Sequence, residues 1–167
     1  MTSTVTLRRG SEADISFIMA TERLEGYGEL VGRWEAERHR QAFADGRHAY
    51  FVGEAEGAPF GFALLRDWES LEHVTLVKRV AVARPGLGLG KAMMRLLVAA
   101  IFDQTNAYRV CVGTFPDNLR ARRAYEAVGF EAEGIARGSA FFQGRHRDEL
   151  VLSILRPQWA ERRLRGL

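Results

Sequence analysis

The sequence predicts an α/β (α+β) protein built on a mixed, mostly antiparallel sheet with helices on both faces. Three observations carry this. Strand-like runs follow one another in hairpin order on either side of the middle of the chain. Two helical repeats between residues 88 and 128 are separated by one strand, which makes strand-helix-strand units. The length of 167 residues suits one domain, residues 1–167, able to bury a sizeable core.

Val5 to Arg8 alternates as a short strand, and Ser11 can cap a helix that carries Ile15, Ile18 and Met19 on one face. A second amphipathic helix is expected from Trp34 to Phe43. Tyr50 to Glu54 and Phe60 to Arg66 are β-rich, and the turn formers in Glu56-Gly57-Ala58-Pro59 join them as a hairpin. Val74 to Val82 reads as a longer strand. From Gly88 the period lengthens to that of a helix, with Leu89, Met93, Leu96, Leu97, Ala100 and Ile101 on one stripe facing the core. Tyr108 to Thr114 is a strand and Asn118 to Val128 a helix, closed by Gly129. Phe130 to Ala140 and Glu149 to Leu155 are two further strands, joined across the Gln143-Gly144 turn.

Composition excludes several classes. Apolar residues at 47% and charged residues at 27% match a folded globular protein rather than a disordered or fibrous one. Cys111 is the single cysteine, so no disulfide forms within the chain. The four histidines show no metal-ligand spacing, so no metal is expected. The N-terminus MTSTVTLRRG lacks the apolar run of a signal peptide, and no apolar stretch approaches the ~20 residues of a membrane span. The expectation is a cytoplasmic protein without a membrane partner. A net charge of +3, partly in Arg120, Arg122 and Arg123 and partly in Arg156 to Arg165, is too sparse for a nucleic-acid footprint. A small anionic ligand, or solubility, accounts for it better.

Arg84-Pro85-Gly86-Leu87-Gly88-Leu89-Gly90-Lys91 links a buried strand to an apolar-faced helix. Its alternate glycines remove the Cβ atoms that keep a ligand off the backbone, and amides at a helix start can hold a pyrophosphate. A flexible strand-to-helix turn is the bland alternative. The loop is neither a dinucleotide fingerprint, because Lys91 stands three after Gly88, nor a Walker loop, because Ala92 follows Gly90-Lys91. Further on, Asn118, Ala121, Tyr125, Gly129 and Phe130 are spaced N-x-x-A-x-x-x-Y-x-x-x-G-F, and the helix sets Asn118, Ala121 and Tyr125 toward one groove. Taken singly, Asn118 reads as a helix cap and Tyr125 as a core residue.

Together the glycine loop and this motif resemble the GNAT superfamily of N-acetyltransferases, in the branch that includes ribosomal-protein N-terminal and many amine or antibiotic acetyltransferases. The loop resembles [QR]-x-x-G-x-[GA], with Pro85 in the Gln/Arg position and Arg84 one residue early. The layout of Gly129 to Gly134, Gly144 to Asp148 and Leu152 to Trp159 continues the likeness.

The resemblance implies the GNAT fold and acetyl-CoA as cosubstrate. The loop amides of Gly86, Leu87, Gly88, Leu89, Gly90 and Lys91 would bind it, with Asn118, Ala121 and the main chain of Val80 and Val82. It implies direct attack by a primary amine, on a small molecule or a peptide N-terminus, with Tyr125 as the general acid. A homodimer is left open. Glu69, Glu72, His73, His146 and Asp148 are the candidate general bases, beside a base acting through water. Glu22, Glu25, Tyr27, Glu29 and Trp34 form an acidic, aromatic segment that could attract a cationic amine or simply be a polar helix face. Cys111, without a neighbouring histidine, reads as a buried structural thiol. Two other classes stay open: a GNAT-like domain that binds acetyl-CoA as a regulator without turnover, and a nucleotide-binding module using the same loop.

Overall fold

A computed structural model describes residues 4–167; Met1 to Ser3, at the head of the segment examined for a leader, lie outside the described residues. Seven strands, β1 (Val5–Arg9), β2 (His48–Ala55), β3 (Ala58–Arg66), β4 (Val74–Val82), β5 (Arg109–Thr114), β6 (Glu131–Phe142) and β7 (Arg145–Leu155), form one sheet. Their order is β1-β2-β3-β4-β5-β7-β6. Every neighbouring pair is antiparallel except β4 and β5, which run parallel and are joined by a crossover helix. The helices are α1 (Ile15–Glu22), α2 (Ala36–Ala44), α3 (Leu89–Gln104), α4 (Leu119–Val128) and α5 (Arg156–Leu164). This is the mixed, mostly antiparallel sheet that the sequence predicts.

Strand alternation divides the core into two layers. Ala49, Phe51, Ala63, Leu65, Val110 and Val112 face one way, against Met93, Leu97 and Ile101 of α3 and Val128 of α4. Tyr50, Phe62, Leu64 and Ala81 face the other, against Ile18 of α1 and Ala42 of α2. Both hairpin turns use two residues with positive φ: Glu56 (54°) and Gly57 (77°), and Gln143 (52°) and Gly144 (77°). That conformation twists the turn in the same sense as the strands it joins. The first turn is two residues rather than the four expected, because Ala58 and Pro59 already pair with β2.

Two sequence expectations are corrected. The second helix begins at Ala36, with Trp34 preceding it as a buried loop residue. Leu96 is exposed on α3, while Met94, Val98 and Phe102 complete the buried stripe, so the apolar face is rotated toward the sheet. The basic tail from Arg156, to which the sequence expectations assign no secondary structure, is the helix α5. The Arg156 guanidinium donates to the carbonyls of Phe102 (2.8 Å), Thr105 (3.0 Å) and Ala107 (2.8 Å), closing the C-terminal end of α3.

A buried ionic group fastens the α1–α2 segment to the sheet. The Glu22 carboxylate, fully buried, accepts from Arg79 Nη1 at 2.6 Å, from the Trp34 amide at 3.3 Å and from Arg23 Nη1 at 3.3 Å. His39 stands 3.2 Å from the same carboxylate, with its other ring nitrogen 2.8 Å from the Tyr50 hydroxyl. Burial pushes the Glu22 pKa up, but His39 and Arg79 outweigh it and hold the carboxyl below its ordinary range. Stability from Glu22 is therefore present above the unfolded carboxylate pKa of about 4.3 and is lost as pH falls through the lower folded value. Glu22→Gln leaves Arg79 buried without a counter-ion and should cost about 3–5 kcal/mol. Denaturant unfolding at neutral pH checks this, and the difference from the parent protein should shrink toward pH 3.

Candidate active site

The site begins where β4 and β5 part. Their pairing spans only Val74–Val77 against Arg109–Val112, although β4 continues to Val82 beside β3. Opposite β3, Leu64 pairs with Arg79 and Leu65 with Val77, so Lys78 is the extra residue of a bulge. Beyond it the Ala83 amide donates to Phe60 O at 2.6 Å, which fixes the alternation. The main-chain groups of Ala81 and Ala83 point at β3, and those of Val80 and Val82 point into the gap. A cleft of about 1730 Å³ opens there.

At the end of β4 the glycine loop leads into α3. Gly86 and Gly88 take φ of 90° and 75°, in the left-handed region, and Gly88 is the residue that caps α3. A Cβ at either would meet nothing within 4 Å, so the backbone there lies open. The first-turn amides of α3 have no carbonyl within the helix to bond. Gly90 and Pro85 lie on the cleft wall, whereas Gly86, Leu87, Gly88, Leu89 and Lys91 lie outside it.

Across the gap, α4 follows β5. Asn118 caps it, its Oδ1 accepting from the Ala121 amide at 3.2 Å, and Gly129 (φ 118°) ends it. The positive φ of Gly129 is what favours glycine there, since the nearest atoms to a Cβ, at 2.7 Å, belong to the flexible side chain of Arg162 of α5. Asn118, Ala121 and Tyr125 all line the cleft, together with Val80 and Val82. The Tyr125 ring is buried against Phe130, with ring centroids 6.0 Å apart, and burial alone pushes its pKa up. No described residue bonds its hydroxyl, which leaves a protonated phenol at the cleft wall at neutral pH.

The opposite lip comes from the segment between α1 and α2. Tyr27 donates its hydroxyl to Val82 O at 2.6 Å, clipping this lip to the end of β4. The acidic segment expected here is divided by the fold. Glu22 is sealed in the buried ionic group, Trp34 is a buried ring, and of the segment's carboxylates only that of Glu25 lines the cleft. Glu69, Glu72, His73, His146 and Asp148 also lie off the wall, so none of the five candidate bases reaches it. The carboxylates that do are Glu25, Asp117 and Glu149, the last so close to Gly113 that a Cβ added there would stand 2.5 Å from its Oε2. Cys111 is half-buried on the same wall, with burial pushing its thiol pKa up. Among the described residues no His, Cys, Asp and Glu grouping fit for a metal occurs, and no helix is long and apolar enough to cross a membrane.

A family model described as acetyltransferase (GNAT) family matches residues 17–130. A probable N-acetyltransferase of Bacillus subtilis, YjcK, is 37% identical over 75 residues, which are 45% of this chain and 41% of that protein. The chain therefore spans less than half the length of that relative. An aminoglycoside N(6')-acetyltransferase type 1 of Klebsiella pneumoniae is 28% identical over 154 residues, covering 78% of this chain and 75% of its own. Among solved structures, spermidine N-acetyltransferase from Vibrio cholerae, in complex with CoA and spermine, superposes with a TM-score of 0.81 at 20% identity, covering 93% of this chain and 98% of its own. At that identity the agreement is one of fold.

The Tyr27 clip sets how firmly the lip is held. Tyr27→Phe keeps the ring and removes one hydrogen bond, so global unfolding should change by only about 1 kcal/mol. Amide exchange over residues 25–32, followed by mass spectrometry, should accelerate.

Proposed function

The chain belongs to the acetyltransferase (GNAT) family, and we propose that residues 1–167 form one catalytic domain that moves an acetyl group from acetyl-CoA to a primary amine. The observation that carries the reading is the gap between β4 and β5. One wall has the main-chain groups of Val80 and Val82, which β5 leaves unpaired and of which Tyr27 takes the Val82 carbonyl, one end has the open glycine backbone and the start of α3, and the other wall has Tyr125.

These parts fit coenzyme A. The pantetheine arm carries two amides, and the free edge of β4 offers them strand-like pairing, chiefly through Val80, since Tyr27 already occupies the Val82 carbonyl. Gly86 to Lys91 would take the pyrophosphate on backbone N–H groups at the positive end of the α3 dipole. Asn118 keeps its side-chain NH₂ for the ligand while its oxygen caps α4, and the small Ala121 leaves room.

Acetyl-CoA supplies the activated acetyl group as a thioester. The cleft positions the amine against it, which removes the entropic cost of a bimolecular encounter. As the new C–N bond forms and the C–S bond breaks, Tyr125 donates its hydroxyl proton to the departing sulfur, and the proton lost by the amine passes to water in the open cleft. No covalent acyl-enzyme is needed, and the desolvated thiol of Cys111 is a poor nucleophile for one. The acceptors named for the relatives, spermidine and aminoglycosides, support a small-molecule amine.

Gly90 is the sharper test of the cradle. Its φ is ordinary, and a Cβ there meets only Val82 Cγ1, at 3.7 Å, so Gly90→Val should fold. Calorimetric titration should nevertheless show coenzyme A affinity falling by about 10-fold or more, the loss of roughly one charge-assisted hydrogen bond. Unchanged affinity returns the loop to a plain turn.

Tyr125→Phe separates acid from packing, because it keeps the ring that Phe130 touches. With a peptide or amine acceptor, kcat should fall by about 10²- to 10⁴-fold, with acetyl-CoA affinity and Tm nearly unchanged. Near-normal kcat makes Tyr125 a core residue.

A further inference from the structure

On the α1–α2 side of the gap three cations converge, and among the described residues only Arg66 has a carboxylate within ion-pair distance, one it shares with Arg47. Arg38 comes from α2, Arg66 from the end of β3, and Lys78 from the bulge of β4. Arg38 and Lys78 lie over the Trp34 indole, 4.2 Å and 5.6 Å from its ring centroid. With Trp34 they line both the main cleft and a side pocket of about 290 Å³. Arg79, 4.9 Å from the same ring, is neutralised by buried Glu22. The other three are not. Arg38 and Lys78 have no carboxylate within ion-pair distance among the described residues. Arg66 approaches only Asp67, at 3.5 Å, and Asp67 already accepts from Arg47 at 2.6 Å. The Arg66 Nε is buried with no hydrogen-bond partner. Partial enclosure, then the nearby Arg66, Arg79 and Arg38, push the Lys78 pKa down, a sign of crowded positive charge.

Two guanidinium groups and an ammonium around one pocket match the oxygens of a carboxylate or phosphoryl group. The phosphates of coenzyme A are not the natural occupant. Lys78 lies four residues back from the end of β4, about 13 Å along the strand, and Arg66 and Arg38 are on the α2 side of the sheet while α3 packs on the other. We propose that the acceptor amine carries an anionic oxygen group, carboxylate or phosphoryl, that binds Arg38, Arg66 and Lys78 while the amine reaches into the β4–β5 gap. This rests on the acetyl-transfer reading above and specifies its acceptor. A polycationic amine meets repulsion at the same place. The acidic groups about this cluster do not reverse that: Asp67, 3.5 Å from Arg66, already accepts from Arg47 at 2.6 Å, Glu149 accepts from Ser139 at 2.8 Å, and Asp45 is held by His48 at 2.6 Å and by the Arg47 amide at 2.9 Å.

The test compares matched acceptors by the rate of coenzyme A release from acetyl-CoA. Alanyl-alanine is set against its C-terminal amide, phosphoethanolamine against ethanolamine, and spermidine serves as the polycation. The anionic member of at least one pair should show a kcat/KM about 10- to 100-fold above its neutral partner, as expected for one or two hydrogen bonds to a charged group. The responding pair distinguishes carboxylate from phosphoryl. Arg38→Gln, an exposed position, and Lys78→Met should each raise KM for that acceptor by about 10-fold, with kcat changed little and coenzyme A affinity unchanged. Faster acetylation of spermidine or of both neutral partners overturns the anionic acceptor and leaves acetyl transfer standing. Variants that turn over the anionic acceptor with unaltered KM also overturn it. Turnover of no amine, while coenzyme A binds, overturns the acetyl-transfer reading itself.

Discussion

The site depends on a sheet that keeps one parallel pair in an antiparallel surround and lets it separate. β4 is bound along its length to β3 but to β5 for only four residues. The bulge at Lys78 lets it follow one neighbour and leave the other. A closed sheet would cover the edge of β4 and bury Val80 and Val82 as an ordinary ladder. Instead, the crossover through α3 brings a helix N-terminus to the open end of the strand, and β5 delivers α4 to the far side. Backbone amides, a free strand edge and Tyr125 thus meet at one gap because of how β4 is paired.

The gap also needs a wall on its other face, and that wall is a loop-rich segment with little regular structure between α1 and α2. Apolar burial there is modest: Val31 and Trp34 are its two buried apolar side chains. The Glu22 carboxylate compensates by collecting Arg79 from β4, the Trp34 amide and His39 from α2. An ionic group this deeply buried adds less net stability than an apolar core of equal volume, but it has only one satisfied arrangement and so fixes the segment's position. Tyr27 adds a second anchor, at Val82.

What was legible in the sequence was local. Strand alternation, the helix period and the positions of the two hairpin turns are encoded within a few residues, and the structure follows them, shortening the first turn to Glu56-Gly57. The spacing of Asn118, Ala121, Tyr125 and Gly129 likewise reports one helix with its cap, its groove face and its end. What was not legible depended on faces of different elements meeting. Glu22 reads as a polar helix residue until Arg79, 57 positions away, is folded onto it. Arg38, Arg66 and Lys78 look like scattered surface charge until α2 is laid across the sheet. The helix α5 did leave a signal, since Pro157 stands in its first turn and Gln158 reaches back to the Leu155 amide at 2.9 Å. The many arginines of that tail obscured it.

The two sides of the gap are built from different materials, and the difference separates chemistry from specificity. The α3 side uses backbone: glycines with positive φ, amides at a helix start and a strand edge. Such groups tolerate most sequence change provided the glycines remain, so one cosubstrate can be kept while the rest of the chain diverges. On the α2 side, Arg38, Arg66 and Lys78 line the pocket with side chains rather than backbone. On the proposed reading of the acceptor, an exchange of a few charges there would reverse the sign it selects and leave the gap, its helix end and its tyrosine where they are.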